Sequence, residues 1–540
     1  MPMTQQSAYE HLEEVARLME LAGENPFKVR AFQKGADAVR GTQEKLESIA
    51  SGEVKVAGIG DGIRTTLGEF LKTGDSTARN ELSAKVPAPI LELLKLPGLG
   101  PKKARQVYEE LGVQTLGELE YACRENRLLT LKGFGKSTQE KLLKNLELLK
   151  ASRGKALLIE ALDYAAEIET LFGGNSVRVG QLARHCEVVS LFEWHITDVP
   201  KKIHFEKKSE KKVFGMSLQK LEFLHKELAC VLWVSSAIDE KLRVWLNSSE
   251  DLRKRLEQSV ALAHEVQDWE PSWLETTWIG QTELRKPNAE TYRVRRDGGV
   301  RGVFHNHTTE SDGTASLEEM VTEAAKLGYQ YIGISDHSQS AFYAHGLSVD
   351  RIRAQRKAIA SLQKRCGIRV FHGIESDILA DGTLDYPDSV LAEFDFVIGS
   401  IHSRFQMDEA AMTNRILRAM ENPYMTFWGH PSGRLLLGRE PYSLNWNQVF
   451  DAAKDNGVII EFNAHPSRLD IDWRFGRMLE EKEIQVSLNP DAHDLEGLAH
   501  VQLGARVLEK AMLSKSLVFN LRSVEEVEKS LWERRKKAQS

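Results

Sequence analysis

The sequence predicts a multidomain α/β protein of three unlike parts: an all-α N-terminal region, a mixed α+β middle, and a C-terminal parallel sheet wound with helices. Three observations predict it. One glycine-turn pattern recurs three times within the first 150 residues. Seven short β-rich runs alternate with helical stretches after residue 301. The composition, 41% hydrophobic and 28% charged, is that of ordinary globular domains and excludes disordered or fibrous chains. At roughly 100–200 residues per domain, 540 residues make about three to five domains.

The N-terminal part reads as helices joined by short turns. Ala57-Gly58-Ile59-Gly60, Pro97-Gly98-Leu99-Gly100 and Lys132-Gly133-Phe134-Gly135 share one pattern, with Lys132 in place of the first apolar residue in the third. Their spacings of 40 and 35 residues mark a repeated supersecondary unit, and each turn precedes an amphipathic stretch such as KKARQVYEELG. Such a turn aims backbone N–H groups at the start of its second helix, where they can hold a phosphate. Pro101 suits the first helical position, and Lys102 and Lys103 add charge beside it. The unit is a helix-hairpin-helix, a sequence-tolerant clamp on nucleic-acid backbone. One GxG alone would be an ordinary tight turn; three at regular spacing are not. The candidate DNA contacts are Gly58, Gly60, Gly98, Gly100, Lys102, Lys103, Gly133 and Gly135. Residues 1–84 form the first DNA-binding domain, with one hairpin, and residues 85–150 hold the other two.

Residues 151–265 are mixed α+β, and their Lys-rich run KKIHFEKKSEKK (201–212) is expected to be a solvated loop or edge strand. Residues 266–300, with Pro271, Pro287 and Gly298-Gly299, are expected to be a linker.

Residues 301–540 carry the runs RGVFHNH (301–307), YQYIGIS (329–335), IRVFHGIE (368–375), FDFVIGSIH (394–402), YMTFWGH (424–430), GVIIEFN (457–463) and EIQVSLN (483–489). Helical stretches separate them, the first opening with a capping box of Ser316 and Glu319, and a helix ends the chain. Such alternation gives a parallel sheet, open or closed into a barrel, whose active site lies at the C-terminal ends of the strands.

Chemistry gathers at those ends. His305 and His307 are two apart on a strand and share a face. Asp312 follows in a Ser-Asp-Gly turn, then His337, Glu375, His402 and His430 at successive strand ends, and Asp491 with His493 after the seventh. Six histidines and three carboxylates are too many for one ion and suit two or three divalent metals sharing a bridging carboxylate. The donor mixture favours Mn²⁺ or Zn²⁺, with Fe²⁺ as a third candidate. His372, three residues from Glu375, falls on the opposite strand face as a structural group, and His345 and His465 are undecided. Arg404, Arg434 and Arg468 follow the ligand strands and could hold phosphate by bidentate pairs, as catalytic arginines. Ser432 and Asn463 are weaker candidates for the same rim.

HNHTTESDG, ISDH, HGIE, GSIH, GHPSGR and NPDAHD resemble the successive motifs of the PHP (polymerase and histidinol phosphatase) domain over about residues 301–510. The resemblance implies a distorted (β/α)7 barrel with a trinuclear metal centre that hydrolyses phosphoesters. By position it implies a first metal on His305, His307, Glu375 and Asp491, and a second on His402 and His430, bridged by Glu375. Asp312, His337 and His493 would hold the third. Metals in such a site activate water and clamp the attacking and leaving oxygens.

LLKLPGLGPKKARQVYEELGVQTLGELEYA (93–122), LKGFGKSTQEKLL (131–143) and WIGQTELRKPNAE (278–290) resemble family X DNA polymerases, whose bacterial members end in a PHP domain. The resemblance implies a nucleotidyltransferase-like palm in the middle region. The palm's active site is degenerate here. The family's Gly-Ser-x-Arg-Arg and Gly-Asp-x-Asp stretches align with GQLARHCEVVSLFE (180–193). Gln181 replaces the serine, Ala183 the first arginine, Ser190 the glycine, Leu191 the first aspartate and Glu193 the second. Leucine cannot coordinate a hard cation. The family's Schiff-base lysine aligns with Thr66.

The expected function is therefore a DNA-repair phosphoesterase: a 3′→5′ exonuclease, with 3′-phosphatase or abasic-site incision as variants, its polymerase and lyase steps lost. The competing readings are a template-directed polymerase for gap repair, a histidinol-phosphatase-like enzyme for small molecules, and a non-catalytic DNA scaffold. The net charge of −6 is no nucleic-acid signature by itself. It lies in residues 301–540, with 28 basic and 34 acidic groups, whereas residues 1–150 carry 22 and 21. Divalent ions would offset it, and the neutral clamps imply weak, salt-sensitive binding through amides and a few lysines. Four scattered cysteines and the lack of an apolar leader or span lead to the expectation of a cytoplasmic location, with no membrane association and no obligate protein partner.

Overall fold

The computed structural model describes the chain apart from residues 1–4, 43, 125–126, 153, 173–175, 198, 201–202, 214–215, 226–227, 236–239, 267–270, 272–273, 275–287, 295–297, 438 and 540. It divides into two compact units, residues 1–153 and 154–540.

The first unit is helical, and one apolar core joins the regions read as 1–84 and 85–150. Its three glycine turns are built alike. Gly58, Gly98 and Gly133 have φ of +91°, +83° and +88°, a left-handed conformation that costs other residues roughly 1–2 kcal/mol. Ile59, Leu99 and Phe134 insert into the core, and their amides donate to Val56, Leu96 and Leu131. The chain then enters α1 (Asp61–Thr73), α2 (Pro101–Leu111) and α3 (Lys136–Ser152). Gly60 and Gly100 are the extended N-caps of α1 and α2. Thr66 is buried in α1, its hydroxyl donating to Gly62 O at 2.9 Å, so no amine or exposed nucleophile stands there.

In the second unit a five-stranded mixed sheet comes first: β1 (Ser176–Val179), β2 (Phe192–Ile196), β3 (Lys207–Val213), β4 (Met216–His225) and β5 (Leu228–Val234), in the order β1-β2-β5-β4-β3. Residues 207–212 of the Lys-rich run lie on the exposed edge strand β3, where charge discourages pairing with another chain, while residues 201–202 lie outside the described residues. The expected linker does not run free throughout. Tyr292 is buried and its amide donates to Leu513 O at 2.7 Å, while Thr291 bridges Ser514. Residues 278–287 of the joining motif lie outside the described residues.

The seven β-rich runs supply seven parallel strands in sequence order: β6 (Gly302–Val303), β7 (Tyr331–Ile334), β8 (Arg369–Asp377), β9 (Phe396–Ser400), β10 (Met425–Trp428), β11 (Ile459–Asn463) and β12 (Val486–Asn489). The sheet curls into a nearly closed barrel. At the C-terminal rim Asn306 and Ala492 form a parallel bridge. Deeper in the seam Asn520 stands in for ladder bonds, donating to Gly302 O (2.9 Å) and Leu488 O (2.6 Å) and accepting from Leu488 N (3.1 Å). Aromatic rings fill the lumen. Phe304 lies 4.9 Å from Phe427, 5.3 Å from Phe396 and 5.5 Å from Tyr331. Gly373 makes room for the Phe396 ring, which any Cβ there would overlap. Val527 and Leu531 of the C-terminal helix, Val524–Gln539, join this aromatic cluster. The expected capping box at Ser316 and Glu319 is formed.

Candidate metal centre

The strand ends bring all nine predicted ligands together. Ligand atoms converge in four overlapping groups, each within 4.8 Å: His307, Asp312, His337 and His493; His305, Glu375 and His430; His305, His307 and Asp491; and His337, Glu375 and His402. Glu375 sits between two of them, with Oε1 2.9 Å from His430 Nε2 and 3.2 Å from both His305 Nε2 and His402 Nε2. Its Oε2 is 2.9 Å from His337 Nδ1. Asp491 Oδ1 lies 3.3 Å from His307 Nε2 and 3.4 Å from His305 Nε2. Asp312 reaches His337 and His493 at 3.5 Å each. His430 and Asp491 hold left-handed backbone, φ +29° and +54°, strain that gathers at functional sites.

The electrostatics fit a site for cations. Both ring nitrogens of His307, together with His305 Nε2 and Glu375 Oε2, are buried without a hydrogen bond, and such orphaned groups are costly unless a metal ligates them. Burial pushes the His307 imidazole down to about 3, so it stays neutral, as a ligand must be. Burial works the same way on His305, but Glu461, Asp491 and Glu375 outweigh it and hold this imidazole well above its ordinary value. Glu375 is driven up by burial yet held well below the carboxylate range by His305, His402 and His337.

Two supporting carboxylates escaped the sequence reading. Glu461, on β11 and fully buried, accepts His305 Nδ1 at 2.8 Å and the His430 amide at 2.7 Å. Asn463 and Asn489 donate to its two oxygens at 3.1 Å. Asp377 accepts His402 Nδ1 at 2.6 Å. Both pin ligand rings, leaving the opposite nitrogen to face the site. The available signal was spacing: Asp377 lies two residues beyond Glu375, and Glu461 two before the rim candidate Asn463. Asp336, beside His337, accepts Thr308 N (2.7 Å) and Thr308 Oγ1 (2.8 Å), anchoring the turn that presents Asp312.

The three arginines part company. Arg468 Nε lies 3.4 Å from Asp491 Oδ2, so its guanidinium borders the ligands. Arg434 does not offer a free fork. Its nitrogens bond Arg468 O (2.9 Å), Leu469 O and Asp472, so here it braces backbone. Arg404 is exposed on a left-handed loop residue, φ +56°. Asn463 reaches Asp491 Oδ2 at 3.0 Å, while the Ser432 amide donates to Asp470. His372 is turned from the cluster, 3.2 Å from Gln355 Oε1. His345 is an exposed loop residue, and His465 accepts from Ser467 N.

At the aligned polymerase positions, Gln181 Oε1 accepts from Ser190 N (2.8 Å) and Leu191 N (3.0 Å), tying down the turn where a nucleotide site would open. Glu193 is buried beside Gly180, accepting Trp233 Nε1 at 3.0 Å with Arg253 at 3.7 Å. Its cross-strand partner on β5 is Val231, so no carboxylate stands opposite it.

Residues 3–76 match a helix-hairpin-helix domain model, 90–147 a SAM-like helix-hairpin-helix tandem, and 304–465 the PHP domain. The DNA polymerase/3′-5′ exonuclease PolX of Bacillus subtilis (strain 168) is 32% identical over 96% of this chain and 97% of its own. A probable phosphatase of Caldanaerobacter subterraneus subsp. tengcongensis is 28% identical over 43% of this chain and 91% of its own, and one of Caldicellulosiruptor bescii is 34% identical over 29% and 63%. Helical hairpins in front, a barrel that gathers the nine candidate ligands behind, and likeness along nearly the whole length agree: the chain belongs to the bacterial PolX family, the family X DNA polymerases that carry a PHP domain.

Proposed function

We propose that this protein is a metal-dependent DNA phosphodiesterase that removes nucleotides from 3′ ends, and that its polymerase activity has been lost. The observation that carries the reading is the complete set of nine ligands around Glu375. The PolX relative's name includes a 3′-5′ exonuclease, in keeping with it. Among the described residues no helix is long and apolar enough to cross a membrane.

Two or three divalent ions, Mn²⁺ or Zn²⁺ with Fe²⁺ as a third candidate, would supply Lewis-acid activation of water and charge neutralisation at the phosphate. His305, His307, Asp491 and Glu375 would hold one; Glu375, His402 and His430 a second; Asp312, His337 and His493 a third. Glu461 and Asp377 keep His305 and His402 presenting Nε2 to the site. Arg468 is positioned to receive a phosphate oxygen beside Asp491. The hairpin amides of Gly58, Gly60, Gly98, Gly100, Gly133 and Gly135, with Lys102 and Lys103, would hold DNA backbone. Against synthesis stand Gln181 and Leu191, where the family resemblance places a serine and the first aspartate.

A 5′-labelled strand with Mn²⁺ tests the proposal: the wild type shortens it from its 3′ end and His307→Ala does not. No shortening by the wild type, or undiminished shortening by the variant, overturns it. Primer extension on gapped DNA with dNTPs, run alongside, would reveal a surviving polymerase.

A further inference from the structure

A carboxylate of the middle region enters the barrel where its metal rim is braced. Glu187 lies in the loop between the short helix Gly180–Ala183 and the strand Val188–Val189, and is only 6% exposed. Its Oε1 accepts from Arg474 Nη1 at 2.9 Å and lies 3.9 Å from Arg434 Nη2. Its Oε2 lies 3.5 Å from Nζ of Lys510, itself 1% exposed. Three barrel cations thus converge on one middle-region carboxylate, with Asp472 the other anion beside Arg434 and Arg474.

From Arg434 the chain of bonds runs on to the site. This guanidinium donates to the carbonyls of Arg468 and Leu469, the two residues that present the Arg468 side chain. Leu469 holds a left-handed φ of +43°, a backbone that persists only where its surroundings determine it. Arg468 in turn stands 3.4 Å from the ligand Asp491. We propose that Glu187 is a positioning residue for the hydrolytic site: through Arg434 it fixes the backbone that aims Arg468, so the middle region is an integral brace of the phosphoesterase.

The physical case is charge balance in a buried place. Without Glu187, Arg434 and Arg474 would keep Asp472 and Lys510 the His185 carbonyl, and repulsion among these three cations would move the one that also holds the 468–469 carbonyls. A phosphate-binding fork must stay within about 0.5 Å of its productive position. A mere fastening between domains would give no reason for Arg434 to clasp those two carbonyls.

The inference rests on the reading of Arg468 as a phosphate contact, and a double-mutant cycle in the full chain separates the two. Wild type, Glu187→Gln, Arg468→Ala and the double variant are assayed with Mn²⁺ on bis(p-nitrophenyl) phosphate, with amide hydrogen exchange of the metal-free proteins in parallel. Glu187→Gln should lower kcat/KM about tenfold or more, chiefly through KM, as expected for misplacing a positioned group. In the Arg468→Ala background it should change kcat/KM less than about twofold. Exchange should rise in residues 466–472 while β8 keeps its protection, and Glu187→Asp should restore part of the loss. Effects that multiply in the cycle, or protection lost equally in β8, would overturn the role of Glu187 while leaving Arg468 in place. An Arg468→Ala variant with unchanged KM would instead overturn the reading of Arg468, and this inference with it.

Discussion

Glu461 offers the sharpest test of the metal centre, because it stands outside the converging ligand groups and yet decides what His305 can do. Its two oxygens accept four donors: His305 Nδ1 and Asn489 Nδ2 on Oε1, the His430 amide and Asn463 Nδ2 on Oε2. Glu461→Gln keeps the volume and replaces one oxygen with an NH₂ group. The His430 amide cannot reverse, so the remaining oxygen is drawn to that side, and the NH₂ faces His305 Nδ1. His305 must then accept at Nδ1 and carry its proton on Nε2, the nitrogen 3.2 Å from Glu375 and 3.4 Å from Asp491, where a metal needs a lone pair. Loss of a supporting partner of this kind typically costs 10–100-fold in metal affinity or activity, about 1.4–2.7 kcal/mol. Isothermal titration of the metal-free protein with Mn²⁺, checked by elemental analysis of bound metal, measures it. One site should weaken by that factor or vanish, while the Asp312–His337–His493 group keeps its metal. Wild-type affinity and stoichiometry in Glu461→Gln would refute the tautomer argument.

Lys102→Ala with Lys103→Ala should weaken DNA binding and reduce the slope of log K against log salt by about 0.7–0.9 for each phosphate no longer neutralised, with hydrolysis of a small phosphodiester unchanged; an unaltered slope would remove these lysines from the clamp. Gly133→Ala meets no atom within 4 Å, so only its φ of +88° is penalised; it should cost about 1 kcal/mol in the N-terminal unit, read from denaturant unfolding of the full chain. The Glu187 carboxyl is pushed up by burial but held at about 2 by Lys510, Arg474 and Arg434. Because the folded value lies below the ordinary 4.5, its stabilisation, on the order of 3 kcal/mol, is present above pH 4.5 and lost as pH falls toward 2. The stability gap between wild type and Glu187→Gln should therefore close over that range, and a gap independent of pH would refute the ion cluster. Phe304→Ala, which empties the centre of the lumen, should destabilise the barrel by about 3–5 kcal/mol in thermal unfolding.

The candidate ligand set was legible because its members lie at strand ends or in the loops that follow them, in a chain whose strands follow one another around the sheet. Sequence order is then spatial order, and His305 and Asp491, 186 residues apart in the chain, meet at the closing seam. The hairpins were legible for a related reason. A left-handed turn needs glycine, and an amphipathic helix after it needs an apolar anchor such as Leu99. The arginines were not legible in this way. Arg434 and Arg468 follow their strands with similar spacing, yet one clasps backbone carbonyls and the other faces Asp491, a choice made by partners far away in the chain. The expected linker likewise holds Tyr292, whose burial depends on Leu513 and its neighbours.

By itself, then, the sequence determined the helical front and barrel back, the seven strands, the nine candidate ligands and the leucine at 191 where the family resemblance expects an aspartate, since these depend on residue identity and local periodicity. Only the tertiary structure decided that the sheet closes, through Asn306, Ala492 and Asn520, and that Glu461 and Asp377 orient the ligand rings. It alone joined Glu187 to the brace behind Arg468. Those outcomes rest on pairings across more than a hundred residues or between separate elements. Hydrogen-bond geometry and buried charge balance select such partners, and neither leaves a period in the sequence.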